Sequence, residues 1–427
     1  MSGDYSRLAV GEEAAYGATY ADANIVQAIR LIDGADMNID PAFATADELT
    51  GKRLKGKDYK GVLKGTGAYA FLASPQGGLG WHLKWLCGAI QDLAGSYHPR
   101  VKVLTAVGAE TEIDFSAFTT NPVNADNHSL FVRHANGTKT PYLKSATATI
   151  AAGEYYLDET GETITVGAPL VAGDEVILTW IEDVAGVYTH IFKDYRTLRS
   201  YQSAFRKGEV KKFDYNGIGI NTMNMNINTT DLLQGEFDLL FKDEALEDPS
   251  GWPTLKTNPL YPAFNTKDPL DPFLIQHCKI IMDQIQTTDV SAFNVSYSNN
   301  LEPYDSIQCT DTTSKLVTGE ITLTVSVTQE FTNSQAREDF RALTLRDWEF
   351  RYGECPAPKS GVQIGTTGVN YMLGLWIPAG QYTSNACPAS SGVLAEEVEI
   401  TAKEDIELDD TLEWYLVNSV VSYPDAT

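Results

Sequence analysis

Long runs in which apolar and polar residues alternate constrain this chain more than any other feature. In GEITLTVSVTQEF, residues 319–331, Leu323, Val325 and Val327 lie on one side of an extended strand, and Glu320 and the intervening Thr and Ser residues lie on the other. The same alternation recurs at residues 217–230, 234–243 and 397–402. It predicts a sheet with one face in the core and the other in water.

Helical patterns are few. Apolar residues at spacings of three and four predict a helix over residues 79–94, LGWHLKWLCGAIQDLA. A second, shorter helix is predicted over residues 331–346, where Asn333 or Ser334 can cap it. The fold class is therefore mainly β: a β-sandwich or barrel with one or two flanking helices.

The pattern of apolar and polar residues changes between residues 99 and 186, where the alternating runs become short. Short alternating runs, such as DEVILTWIED at residues 174–183, are separated by Gly, Asn and Pro turns, which is typical of a small β-sandwich. Longer strands and the first helix lie on both sides, and 427 residues suffice for two or three domains. We therefore predict an insertion, 99–186, within a main domain made of residues 1–98 and 187–427.

The chain is strongly acidic. It has 32 Lys and Arg against 57 Asp and Glu, a net charge of -25. Because nucleic-acid affinity comes mainly from cations that neutralise phosphates, this balance disfavours a DNA-gripping protein. The N-terminus lacks a basic stretch followed by an apolar one, and no run approaches about 18 apolar residues. We expect no export signal, no membrane contact and reduced cysteines.

Signatures of catalysis are missing from the sequence. There is no GxSxG, HExxH or GxGxxG motif, and the six histidines are scattered. Residues 51–58 have the spacing of a phosphate-binding loop, but Asp58 stands where Ser or Thr is needed. The acidic run at 396–413 has no Gly turn for calcium, so a solvated strand face is favoured. We predict no enzyme, and no catalytic, cofactor or metal site.

A basic cluster spans residues 190–212, HIFKDYRTLRSYQSAFRKGEVKK, and is interleaved with aromatic residues. Cations with stacking rings are typical of a nucleic-acid patch. In a chain this acidic, the cluster can equally pair with an acidic face on a neighbouring copy, and we favour that interpretation.

Several segments, in order, give the chain a specific likeness. They are GEEAAYGATYAD, DELTGKRLKGKDYKG, GWHLKWLCGAI, HIFKDYRTLRSY, YNGIGINTMNMNINTTDLLQGEFDLLF and NVSYSNNLEPYDSIQCTD. With them the chain resembles the tail tube (major tail) proteins of long-tailed, non-contractile bacteriophages. The resemblance covers residues 1–98 and 187–427, while residues 99–186 are similar to the immunoglobulin-like modules that some tail proteins carry on their outer surface.

The resemblance implies a structural virion protein that forms rings, usually of six copies. Inner strands would join into one β-barrel around a channel, and stacked rings would form the tube through which the genome passes. Its partners would be further copies, other tail proteins at the tube ends, and double-stranded DNA that passes without specific binding. Assembly would take place in the host cytoplasm.

The same resemblance implies that a loop at residues 41–64 contacts the adjacent ring. Within it the candidate contact residues are Asp47, Glu48, Lys52, Arg53, Lys55 and Lys57. A channel for DNA should be wet and acidic, because each cation would add a phosphate contact. Glu236, Asp238 and Glu320 lie opposite the apolar positions of their runs. They are candidates for lining the channel, with the outer surface as the alternative.

Two other classes of protein stay open. A capsid decoration protein would also be acidic, β-rich and free of catalytic motifs. A secreted carbohydrate-binding protein could share the β modules, but the missing export signal counts against it.

Overall fold

In a computed structural model the described part of the chain comprises residues 7–29, 31–32, 35–45, 58–75, 78–114, 128–158, 163–208, 210–228, 232–248, 250–253, 273, 278–287, 290–306, 312–353, 363–387, 394–408 and 412–425. These residues form 27 β-strands, two α-helices and one turn of 3-10 helix. The prediction of a mainly β fold with one or two helices is confirmed.

The elements follow one another in three groups. The first contains β1 (Arg7–Glu12), β2 (Gln27–Ile29), β3 (Asp36–Thr45), β4 (Asp58–Leu72), helix α1 (Leu79–Cys87) and β5 (Gly88–Ala94). The second contains β6 (Ser96–Thr105), β7 (Glu112–Asp114), β8 (His128–Arg133), β9 (Lys139–Lys144), β10 (Glu154–Asp158), β11 (Thr163–Val166) and β12 (Glu175–Glu182). The third contains β13 (Tyr188–Asp194), β14 (Tyr201–Lys207), β15 (Lys211–Asn228), β16 (Gln234–Phe241), β17 (Asp243–Glu247), β18 (Cys278–Met282), β19 (Ile285–Thr287), β20 (Val290–Ser298), β21 (Glu302–Tyr304), β22 (Lys315–Val317), β23 (Thr322–Glu330), helix α2 (Gln335–Ala342), β24 (Leu345–Tyr352), β25 (Met372–Ala386), β26 (Ala395–Ala402) and β27 (Glu413–Asn418).

An 18-stranded sheet forms the body of the protein. Its central order is β3-β4-β16-β15-β20-β23-β26-β25, and every neighbouring pair in it is antiparallel. The two long strands, β15 and β25, pair with different partners along their length, so the sheet turns back on itself. Its inner side chains, with Trp348, Trp414 and Tyr297 among the largest, pack with Trp85 of helix α1 into one hydrophobic core.

Helix α1 ends earlier than its sequence pattern predicts. Gly88 has a φ of 88°, which breaks the helix, and residues 88–94 continue as strand β5 beside β13. The prediction of one helix over 79–94 is therefore wrong in its second half. The apolar spacing persists there because Ile90 and Leu93 still pack against the core, now from a strand.

Helix α2 is also shorter than predicted. It covers Gln335–Ala342, and Leu343 follows in the left-handed region with a φ of 55°. Residues 345–346 instead belong to β24, which pairs with β25. Of the two candidate caps, the Asn333 side chain accepts a hydrogen bond from the Gln335 backbone N–H at 2.8 Å.

The second group of strands forms a separate seven-stranded sheet, in the order β6-β12-β8-β9-β10-β11-β7. It encloses its own smaller hydrophobic cluster, to which Leu130, Tyr155 and Trp180 belong. Ile181, on β12, belongs to the main core instead. The segment boundaries 1–98, 99–186 and 187–427 and the immunoglobulin-like character of the insertion stay predictions.

Buried ion pairs connect this second sheet to the main one. The Arg100 guanidinium stacks on the Trp376 ring at 3.0 Å and donates a hydrogen bond to Glu413 at 3.1 Å. Arg133 pairs with Asp347 at 3.0 Å in the same interface. Burial raises the pKa of Glu413, but the positive charges of Arg100 and Lys193 outweigh it and hold that pKa below its usual range.

We predict that Arg100→Ala lowers the free energy of unfolding by about 3 kcal/mol, since it leaves the buried Glu413 carboxylate short of its inner partner. Lys193→Ala is the matched control: Lys193 contacts the same carboxylate, but its side chain is 47% exposed, so its loss should cost under about 1 kcal/mol. Urea titrations followed by tryptophan fluorescence measure both. Equal losses in the two variants would contradict the ranking.

His82, on α1, is buried in the main core. Its Nδ1 donates to the Gly78 carbonyl at 2.8 Å, so Nε2 is the acceptor for the Tyr69 hydroxyl. Burial lowers the pKa of His82 to about 4. The folded protein thus binds fewer protons here than the unfolded chain, and stability is lost as pH falls from about 6.5 towards 4.

We predict that this one group removes about 2 kcal/mol of stability between pH 7 and pH 5. His82→Gln eliminates the titrating group, so the difference in unfolding free energy between the variant and the wild type should shrink by that amount at pH 5. Urea titrations at the two pH values supply the comparison. A constant difference would show that the pKa of His82 is the same in the folded protein and in the unfolded chain.

Candidate channel surface

One face of the central sheet is polar across five neighbouring strands, β16, β15, β20, β23 and β26, and β4 beside them contributes small or apolar residues to the same rows. Hydrogen-bonded registers align its side chains in rows. The first row, which begins on β3, is Asp36, Ala68, Asp238, Thr222, Ser298 and Thr322; the second is Ala70, Glu236, Asn224, Ser296, Thr324 and Thr401; the third is Leu72, Gln234, Asn226, Asn294, Ser326 and Glu399. We call these rows, with the next pair Thr328 and Glu397, the polar face.

The opposite face of the same strands is apolar. Phe237, Met223, Val295, Val325 and Ile400 are each buried to at least 97%. Successive side chains on a strand point to opposite faces. The registers that bury these residues therefore place the residues before and after them on the polar face. The alternation predicted from sequence is confirmed on β16, β23 and β26.

The polar face carries acids but no bases. Its charged residues are Asp36, Glu236, Asp238, Glu397 and Glu399, and the rest are mostly Thr, Ser, Asn and Gln. The rows are therefore hydrated and negative, and they contain no cation to hold a phosphate.

Short polar contacts order parts of this face. The Thr383 hydroxyl donates to the Glu399 carboxylate at 3.0 Å, and the Asn300 side chain donates to the Glu320 carbonyl at 2.7 Å. Partial burial raises the pKa of Asp238, which lies between Ala68 and Thr222 in the first row. Its carboxylate is thus less readily ionised than that of a fully exposed aspartate.

The three channel candidates from the sequence fall in two places. Glu236 and Asp238 lie on the polar face. Glu320 is exposed but precedes β23, so it lies at the edge of the face rather than within a row. Sequence reasoning missed Asn224 and Asn226, although their alternation with buried methionines in NTMNMNINTT was a usable signal.

The candidate ring-contact residues are outside the described residues. They are Asp47, Glu48, Lys52, Arg53, Lys55 and Lys57. The strands that flank them, β3 and β4, form a hairpin whose last pair is Thr45 with Asp58. The 12 residues between therefore start and finish side by side, beyond the first row of the polar face.

The basic cluster at residues 190–212 pairs with acids of its own chain. Arg199 contacts Glu12 at 2.8 Å, and the buried Lys212 contacts Asp214 at 3.2 Å. The prediction that the cluster pairs with a neighbouring copy is therefore wrong for these two cations. The acidic run at 396–413 was also only partly solvated: Glu397 and Glu399 lie on the polar face, but Glu396, Asp405 and Glu413 are buried.

Within the described ranges, no group of three His, Cys, Asp or Glu side chains is placed to hold a metal ion. In that same part of the chain, neither helix has the length and apolarity needed to cross a membrane.

The outer strand β3 of this sheet has a single partner, β4, among the described residues. Residues 3–414 match the family described as phage tail tube protein. The chain belongs to that family, so the resemblance is confirmed. It is a structural component of the virion and not an enzyme, and membership implies self-assembly into a tube. A search of curated proteins found no match.

Proposed function

We propose that copies of this chain close into rings, of six copies, and that the rings stack into a tube whose channel is lined by the polar face. The observation that carries this proposal is the set of three complete rows across six strands without a Lys or Arg. Double-stranded DNA passes along this surface without specific binding.

The chemistry of the polar face suits a sliding polyanion. Hydroxyl and amide groups hold water, and the carboxylates repel phosphates over about 10 Å at moderate salt. Each cation on such a surface would instead form a phosphate contact, repeated in every ring. A face of this composition therefore keeps DNA hydrated and mobile.

Two strand edges support ring closure. In the described part of the chain β3 pairs only with β4, and the β25 segment from Tyr382 to Ala386 pairs only with β26. These edges lie at opposite sides of the central sheet. Pairing between one edge and the other on the next copy would continue the sheet from subunit to subunit and leave no free edge in the closed ring.

The insertion, residues 99–186, lies on the outer surface of the tube in this proposal. It contacts Trp376, Asp347 and Glu413, which belong to β25, β24 and β27 rather than to the strands of the polar face. The β3–β4 hairpin, which includes residues 41–45 and 58–64, is directed towards the adjacent ring in this proposal, and the contact residues follow Thr45. Assembly takes place in the host cytoplasm, and other tail proteins bind the tube ends.

We predict that Glu236→Lys combined with Glu397→Lys makes assembled tubes retain DNA. Both side chains are exposed on the polar face, so the fold should persist while each ring gains repeated phosphate contacts. Phage carrying the variant should eject DNA more slowly at low salt, with the delay shrinking as salt rises. Dye-monitored genome release measures the rate.

Glu112→Lys is the control, because Glu112 is an exposed acid of the insertion. It reverses one charge where the double variant reverses two, and it places the cation outside the proposed channel, so ejection should stay at the wild-type rate. Tubes of normal length with unchanged low-salt ejection in the double variant would refute the placement of the polar face in the channel.

A further inference from the structure

A cavity of about 230 Å³ opens at the end of the main core, where β23 leads into α2. Its floor is apolar and aromatic, with Trp348 and Tyr382, and its walls carry Gln286, Gln329 and Glu396. Asn333, whose side chain accepts a hydrogen bond from the first residue of α2, also lines it. The cavity thus combines aromatic rings with polar side chains.

Glu396 is the distinctive group in this wall. It is 98% buried, yet within the described residues no Lys or Arg lies within 4 Å of its carboxylate. Its two oxygens accept hydrogen bonds from neutral amides only, from Gln329 at 3.0 Å and Asn385 at 2.6 Å. A buried carboxylate is costly without a counter-charge, so a cation entering the cavity would be stabilised.

The cavity lies at the opposite end of the sheet from the β3–β4 hairpin. β23 runs from Thr322, in the first row of the polar face, to Glu330 beside the cavity. The hairpin instead extends past the first row to Thr45 and Asp58. When rings stack head to tail, the hairpin end of one copy meets the cavity end of a copy in the next ring.

The segment between Thr45 and Asp58 complements the cavity chemically. Residues 46–57 carry four cations, Lys52, Arg53, Lys55 and Lys57, and two leucines, Leu49 and Leu54. The cavity is lined by the exposed Glu330 as well as by Glu396, Trp348 and Tyr382. Charge and apolar surface therefore match between the two ends.

We propose that this cavity receives a basic side chain from residues 46–57 of a copy in the adjacent ring, and that Glu396 is the carboxylate that binds it. The inference rests on the proposed stacking of rings and identifies the acceptor for the contact loop. Glu330 guides the approach from the rim, and the rings of Trp348 and Tyr382 contact the stem of the inserted side chain.

The test uses the full chain, with tube growth followed by light scattering and electron microscopy. Glu396→Gln keeps the shape of the side chain and removes its charge, so it should slow growth about tenfold while thermal unfolding shows a folded monomer. Glu330→Lys, an exposed change, should slow growth without any effect on the core. Glu320→Gln, an exposed acid at the other end, is the matched control and should grow normally.

Carbodiimide treatment of wild-type tubes then checks the contact directly. Peptide mass spectrometry should find amide links from Lys52, Lys55 or Lys57 to Glu330 or Glu396, and none in monomers. Tubes whose links join these lysines to other acids, or wild-type growth rates in Glu396→Gln, would overturn the inference alone. Wild-type protein that forms no tubes at any concentration would overturn the proposed function and the inference with it.

Discussion

The fold and the polar face both depend on the central sheet having one apolar face and one polar face. Antiparallel hydrogen bonding fixes each strand against the next, and a slip of one residue would move Met223, Val295 and Val325 into water and Asn224 into the core. Burial of the apolar set therefore fixes the positions of the polar set. The same constraint that stabilises the fold places Glu236 among hydroxyls and amides, on a surface that no base shares.

The junction between the two sheets follows a different principle. Arg100 is sandwiched between Trp376 and Glu413, so the insertion is held by charges that are removed from water on both sides. Such buried ion pairs add little to the net free energy of unfolding. Removing only one partner is nevertheless strongly destabilising, because it leaves the other charge buried without a counter-charge. The second sheet is therefore attached to β25 and β27 by buried contacts, even though it has a hydrophobic cluster of its own that includes Tyr155 and Trp180.

Sequence reasoning recovered what period-two alternation encodes, namely the mainly β class and the polar placement of Glu236 and Asp238. It failed where a single backbone conformation decides the outcome: Gly88, at a φ of 88°, turns the second half of a helical pattern into strand β5. The spacing of apolar residues alone cannot distinguish a helix from a strand at residues 88–94, because either element would face the same core. It also could not find the cavity beside Glu396, since Gln329 and Asn385 reach that carboxylate from two other strands.

The distribution of charge explains how so acidic a chain can be both stable and selective about its surfaces. Several of its cations are neutralised internally: Lys84 and Lys212 are fully buried against acids, and Arg100 and Arg351 lie within the interface between the sheets. Cations held this way cannot contact a phosphate, whereas the acids of the polar face stay exposed. In the proposed tube, the four cations of residues 46–57 supply positive charge where two copies meet, while the acids of the polar face repel DNA.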